Sequence, residues 1–268
     1  MSRFFQMATK LDQIGLRRPL AWLASRFYSE RHFEVDLQLR WVNRQHEATI
    51  VSPNLHVTRY AEVRAWVLDN WCYDYIPTEG DTVIDVGAGI GEETLIFSHL
   101  VGKTGRVISI EAHPDTFSCL KETIRCSGLT NVTAVQCAIA DKDGQIFMNT
   151  ANCHVASSVM VGGDIMVSAR SLDSLATQLG LGSIAFIKMN IEGAEKLAIK
   201  GMTTLFPRIS NQCISCHDFI AELGGNDSFR SKVEIRAALE DKQYRIRTRP
   251  DHTQIWVRDY IYASRESL

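Results

Sequence analysis

Neither sign of charge dominates this chain: 29 Lys and Arg face 31 Asp and Glu, a formal net charge of -2. A global attraction to nucleic acid or to an anionic membrane is therefore absent, and any such partner needs a local patch. No apolar run approaches the roughly 20 residues of a membrane span. The opening Met1-Ser2-Arg3-Phe4-Phe5 lacks the long apolar core and small-residue cleavage site of a secretory signal. The expectation is a cytoplasmic protein without a transmembrane segment and without a nucleic-acid partner. Cysteines number 7, an odd count scattered from Cys72 to Cys216, which is no disulfide framework. Cys213-Ile214-Ser215-Cys216-His217 spells the CxxCH of a haem attachment site. The segment reads as a strand, however, where residues three apart point to opposite faces and cannot close on one group. The 8 histidines are dispersed without paired spacing, and no metal site is predicted. Internal repeats and low-complexity tracts are also missing. What is present is apolar material: 45% hydrophobic residues in 268 suffice for one large α/β domain and a small appendage.

The most informative segment is Asp85-Val86-Gly87-Ala88-Gly89-Ile90-Gly91, which closes the apolar run Thr82-Val83-Ile84 and leads into a helical pattern from Glu92 to Leu100. Strand, glycine turn and helix N-terminus in succession make a nucleotide-type site. Glycine permits positive φ and close approach of a ligand, while the free helix N–H groups and the dipole face what is bound. The spacing is GxGxG and not the GxGxxG of a dinucleotide fingerprint. With Asp85 two places ahead, it resembles the first motif of methyltransferases that use S-adenosylmethionine. A second strand, Arg106 to Ile110, ends in Glu111, where a carboxylate can accept hydrogen bonds from both hydroxyls of a cofactor ribose.

From Thr82 onward, strands and helices alternate as in a doubly wound sheet. Strands are predicted at Thr82–Val86, Arg106–Glu111, Val132–Cys137, Ile184–Met189 and Ile209–Phe219. Helices are predicted from Glu92 to Leu100, from Pro114 to Ser127 and from Val233 to Leu239, with Tyr244–Arg247 and Gln254–Val257 forming a closing hairpin. A long insertion, Gln145 to Ser183, carries two β-like pieces, Gln145–Asn149 and Ile165–Ser168, and is a natural carrier of substrate contacts. Residues 1–76 are read as an N-terminal cap and accessory region, residues 77–268 as the main domain. Within the cap, Leu20, Leu23, Ala24 and Phe27 fit an amphipathic helix flanked by Arg17, Arg18 and Arg26. Such a helix has the make-up to touch a membrane surface, but its shortness favours packing on its own protein or on a partner subunit, including a second copy of this chain. Phe33–Trp41 and Thr49–Val51 read as strands, Arg59–Tyr75 as a helix.

Thr82–Gly91, Ile110-Glu111-Ala112, the Asp141-Lys142-Asp143-Gly144 turn, Ser171-Leu172-Asp173-Ser174-Leu175 and Phe186-Ile187-Lys188-Met189-Asn190-Ile191-Glu192-Gly193-Ala194-Glu195 together resemble the FkbM family of S-adenosyl-L-methionine-dependent methyltransferases. The resemblance spans about Gly80 to Phe219 and departs at one point: the family's aspartate is Asn190 here. It implies an α/β, Rossmann-like, doubly wound seven-stranded sheet (class I methyltransferase), to which the upstream residues add the small N-terminal α+β cap read above. It implies O-methylation of a sugar or natural-product hydroxyl, with S-adenosyl-L-methionine as cofactor and a small-molecule acceptor as partner. Asp85, Gly87, Gly89 and Gly91 would shape the methionine pocket, Glu111 hold the ribose, and Ala112 and Ala138 flank the adenine. Asn190 keeps hydrogen-bonding geometry without the charge. His217, at the C-terminal end of a strand with Asp218 adjacent, is the first candidate base; Glu192 is the second, with a helix cap as its plainer role, and His154 the third. An NAD-dependent oxidoreductase and a cofactor-binding module without catalysis are the competing readings.

Overall fold

The computed structural model describes residues 16–28, 30–148 and 165–265. His154 lies outside the described residues. The first helix among the described residues, α1 (Arg17–Phe27), buries Leu20, Ala21 and Ala24 against Phe33, Trp41 and Leu55. Phe27, expected on the packed stripe, is exposed at the helix end. A three-stranded antiparallel meander follows: β1 (His32–Val35), β2 (Trp41–Arg44) and β3 (Thr49–Ser52). The single strand expected at Phe33–Trp41 is thus two, because the Asp36 carboxylate accepts the N–H groups of Gln38 and Arg40 and folds a tight turn. Helix α2 (Tyr60–Trp66) runs on through a π-helical turn, Val67–Trp71, and ends before the expected Tyr75.

The main sheet is built from β4 (Thr82–Val86), β5 (Arg106–Glu111), β6 (Val132–Gln136), β10 (Ile184–Met189), β11 (Ile209–Ser215), β12 (Arg245–Arg247) and β13 (Tyr260–Ser264). Its order is β12-β13-β11-β10-β4-β5-β6, seven strands, parallel except for β13. The central strands read as continuous apolar runs because both faces are covered. On one face Ile84, Ile108, Ile187 and Ile214 meet α5 (Leu172–Gln178), α6 (Glu195–Lys200) and α8 (Lys232–Asp241) through Leu175, Ile199 and Leu239. On the other, their alternates Val83, Val107, Phe186 and Cys213 meet Phe97 of α3 (Glu92–Val101) and Val63 of α2. The fold is the expected α/β doubly wound seven-stranded sheet. Two boundaries differ: β11 stops at Ser215, with Asp218 already opening α7 (Asp218–Glu222), and the partner of β12 is β13, because Ile255–Asp259 coils into a 3-10 turn.

The insertion forms a small second sheet, β7 (Ala138–Ile139) and β8 (Gly144–Met148) flanking β9 (Ile165–Arg170). Two of the motif aspartates are spent here on architecture. Asp143 accepts from Ser171 N and Ser174 Oγ, and Asp173 accepts the N–H groups of Thr203, Thr204 and Leu205. The meander joins the main domain through β3: Thr49 N donates to Ser127 Oγ, and Val51 N to Thr123 Oγ1 of α4 (Pro114–Cys126). Side-chain oxygens thereby satisfy an otherwise open strand edge.

Candidate functional site

β4 lies between β10 and β5, so the chain reverses its direction of travel across the sheet at the carboxyl end of β4, where open α/β sheets bind their ligands. A cavity of about 410 Å³ opens there, within the range of small-molecule sites.

Its floor is the glycine loop. Gly87, Gly89 and Gly91 all have positive φ, and the neighbours explain two of them. A Cβ on Gly87 would stand 1.9 Å from the carbonyl oxygen of Asn190, so only glycine lets the loop cross the end of β10. A Cβ on Gly89 would meet nothing within 4 Å and would stand in the open cavity, which is the space a ligand backed against the loop requires. Gly91 turns away and packs towards Leu120, so it shapes the loop from behind. Asp85 likewise does not line the cavity. It is fully buried, accepts the Thr94 hydroxyl at 2.7 Å and stands 3.0 Å from Lys188 Nζ. Lys188 in turn donates to the Gly87 carbonyl at 2.7 Å. Burial disfavours the Lys188 cation, but Asp85 and Glu93 outweigh it and hold its pKa above the ordinary lysine value.

The far wall carries Glu111 at the end of β5. Its carboxylate accepts Gly89 N at 3.0 Å and His113 N at 2.8 Å, which clamps the glycine loop to the strand end and leaves each oxygen a further lone pair. Burial raises its pKa, partly offset by those two N–H groups. Ala112, Ala138, Ile139 and Met148 continue this wall as an apolar slot.

The near wall is the turn after β10. Asn190 and Glu192 line the cavity, and the Asn190 side chain makes no hydrogen bond among the described residues. Glu192 sits at φ +53, a left-handed conformation costly for a side-chain residue, and Gly193 follows at φ +97. Glu195, fully buried, fixes the turn by accepting Ile191 N at 2.9 Å. Behind it, His217 Nδ1 stands 3.1 Å from Glu195 Oε1 and Nε2 stands 3.5 Å from Glu192 Oε2. Burial works against the imidazolium, yet the two carboxylates prevail and push its pKa up to about 10. The two carboxylates thus favour the imidazolium form, and His217 stands behind the turn and is not a wall of the cavity.

Of the residues picked out from sequence, the cavity wall includes Gly87, Gly89, Glu111, Ala112, Ala138, Asn190 and Glu192. Asp85, Gly91 and His217 support it from outside. Among the wall residues that escaped the sequence reading are four charged or imidazole side chains, Lys188, Glu92, Glu93 and His56. His56 comes from the loop after β3, and its Nε2 stands 3.0 Å from Glu92 Oε1 at the start of α3. No cluster of metal-ligating side chains occurs among the described residues.

Known proteins agree with this architecture. The chain resembles the protein-L-isoaspartate O-methyltransferase of Methanococcus aeolicus, 37% identical over 57 residues, or 21% of this chain and 26% of that protein. A probable cobalt-precorrin-6B C(15)-methyltransferase of Saccharolobus solfataricus is 27% identical over 142 residues, 47% of this chain and 70% of the relative. The chain thus spans about a quarter of the length of the first curated relative it matches. Among solved structures, the methyltransferase FkbM of Methylobacillus flagellatus superposes with a TM-score of 0.51 at 20% identity, covering 69% of this chain and 44% of the other. The methyltransferase FkbM domain matches residues 85–246, from the buried aspartate of the glycine loop to the penultimate strand, and the chain belongs to that family.

Proposed function

We propose that the protein transfers the methyl group of S-adenosyl-L-methionine to a hydroxyl oxygen of a small, sugar-like or natural-product-like acceptor. The observation that carries the reading is one continuous cavity with the glycine loop and Glu111 at one end and Asn190 and Glu192 at the other. S-adenosyl-L-methionine is the cofactor, and it supplies a methyl group already activated on a sulfonium centre. The residues present fit it. Gly89 leaves room for close backbone approach, Glu111 has lone pairs for ribose hydroxyls, and Ala112 and Ala138 offer the apolar slot an adenine needs.

The rest is positioning. The acceptor oxygen must be held in line at about 3 to 3.5 Å. Asn190, with an amide that is both donor and acceptor, orients that hydroxyl. As the oxygen gains the methyl group it loses its proton, and the Glu192 carboxylate is the group on the wall that receives it. His217 cannot take that part while it is protonated; its role is to hold Glu192 in place. Glu92 and Glu192 on the wall oppose an anionic acceptor, Lys188 being paired with Asp85, so a hydroxyl suits this cavity better than the carboxylate implied by the isoaspartate relatives.

The test is calorimetric titration with S-adenosyl-L-methionine, S-adenosylhomocysteine and NAD, followed by labelled methyl transfer to a panel of hydroxyl compounds. Binding of the two adenosyl compounds and label on oxygen are expected. Glu192→Gln should lower turnover about 10²-fold with cofactor affinity unchanged. Label on nitrogen, carbon or a carboxylate, or binding without turnover on any acceptor, would overturn the reading.

A further inference from the structure

Helix α1 has two faces, and among the described residues only one is packed against other elements. Leu20, Ala21 and Ala24 are buried on the meander. The opposite face carries Arg18, Trp22 and Arg26, each four residues from the next and therefore in one row. Trp22 is 62% exposed, with the Arg26 guanidinium lying 5.3 Å from its ring centre. The Arg17 side chain reaches the Leu39 carbonyl, which brings the β1–β2 turn beside the first turn of the helix. That turn holds out Leu37, 89% exposed, and Leu39, 56% exposed. No acidic residue lies in the first turn of α1.

We propose that this surface, the outer row of α1 together with the Leu37–Leu39 turn, docks on an anionic lipid bilayer. Large apolar side chains flanked by arginines are what the headgroup boundary accepts: indole and leucine enter the acyl edge while guanidinium groups meet phosphates. The chain as a whole carries a formal charge of -2, so the attraction resides in this patch and not in the global field. Charge also decides between occupants. A second copy packed by two-fold symmetry would set this row of arginines against itself, whereas an anionic surface pairs with it. Docking here leaves the cavity at the carboxyl end of β4 to its own ligands, so the inference does not depend on the methyltransferase reading.

The experiment is co-sedimentation of the full chain with vesicles of phosphatidylcholine alone and of phosphatidylcholine mixed with phosphatidylglycerol, at low and high salt, with sedimentation velocity on the vesicle-free protein. Binding to the mixed vesicles only, weakened by salt, is expected. Arg18→Glu with Arg26→Glu should lower partitioning by at least about tenfold, from roughly fivefold per lost arginine. Trp22→Ser with Leu37→Ser should lower it comparably. Both pairs are surface changes, and unaltered S-adenosyl-L-methionine affinity would establish that the variants are folded. Equal binding to neutral vesicles, or binding insensitive to both double variants, would overturn the proposal. So would absence of binding, whether the protein is then monomeric or forms a dimer abolished by Trp22→Ser, the latter giving the face to a second copy.

Discussion

The two ends of the cavity are built on different plans. At the glycine-loop end three charged groups are tied to the loop and to one another: Asp85 to Thr94 and Lys188, Lys188 to the Gly87 carbonyl, Glu111 to the N–H groups of Gly89 and His113. At the Asn190 end the wall groups are held by strain and by a layer behind them: Glu192 at positive φ, and His217 wedged between Glu192 and Glu195. A polar network anchored to the backbone in this way holds its wall rigid. An end whose supports lie one layer back can change its wall side chains without disturbing the glycine loop, which suits the division into acceptor and cofactor ends proposed above.

That contrast can be broken from several directions. The largest effect is expected from Lys188→Met, which leaves Asp85 as a buried, uncompensated charge. It should cost about 3–5 kcal/mol in chemical denaturation, and a loss below 1 kcal/mol would mean the network is not under tension. Gly87→Ala should follow at about 3 kcal/mol, since its Cβ would collide with the Asn190 backbone where the two ends touch. A graded loss is expected with alkali. The pKa of His217 is raised from 6.5 to about 10 on folding, so its stabilising share is complete below pH 6.5 and drains away as pH rises through 10. Denaturation of wild type and His217→Gln across that range checks it, the variant lacking the slope. The smallest effect on stability belongs to Gly89→Ala, about 1 kcal/mol for its positive φ. Because its methyl group would stand in the cavity, cofactor affinity should nonetheless fall about 10- to 100-fold by calorimetry. A Gly89→Ala protein that binds normally would dissolve the distinction between Gly87 as a crossing point and Gly89 as a ligand floor.

The sheet, the glycine loop and Glu111 were legible because each rests on local signals: a β-branched run, glycines where φ must be positive, an acid at a strand end. Lys188 was legible in principle. A lone lysine in the apolar strand Ile184–Met189 must be paired if the strand is buried, and Asp85 sits at the same level of the neighbouring strand, as the Lys188↔Asp85 register shows. His56 had no such signal, since its position depends on how a loop of the meander meets α3. The surroundings of His217 lacked a signal for a related reason: sequence places it at a strand end, but not between two carboxylates, Glu192 and Glu195, carried by the turn after the neighbouring strand β10. The closing hairpin failed at Gln254–Val257, where Ile255, Trp256 and Val257 look like a strand but coil before the true partner begins.

The bonds from β3 to α4 carry a consequence for how the molecule comes apart. Val42, Ile50 and Val51 of the meander share one apolar cluster with Ile90 of the glycine loop and Leu95 of α3. The cap is thus part of the ground on which the loop stands, and the two belong to a single cooperative unit of opening. In hydrogen exchange, amides of β3 and those of Gly91 and Leu95 should lose protection together, and a truncation before β3 would not unlid the cavity but dissolve its floor.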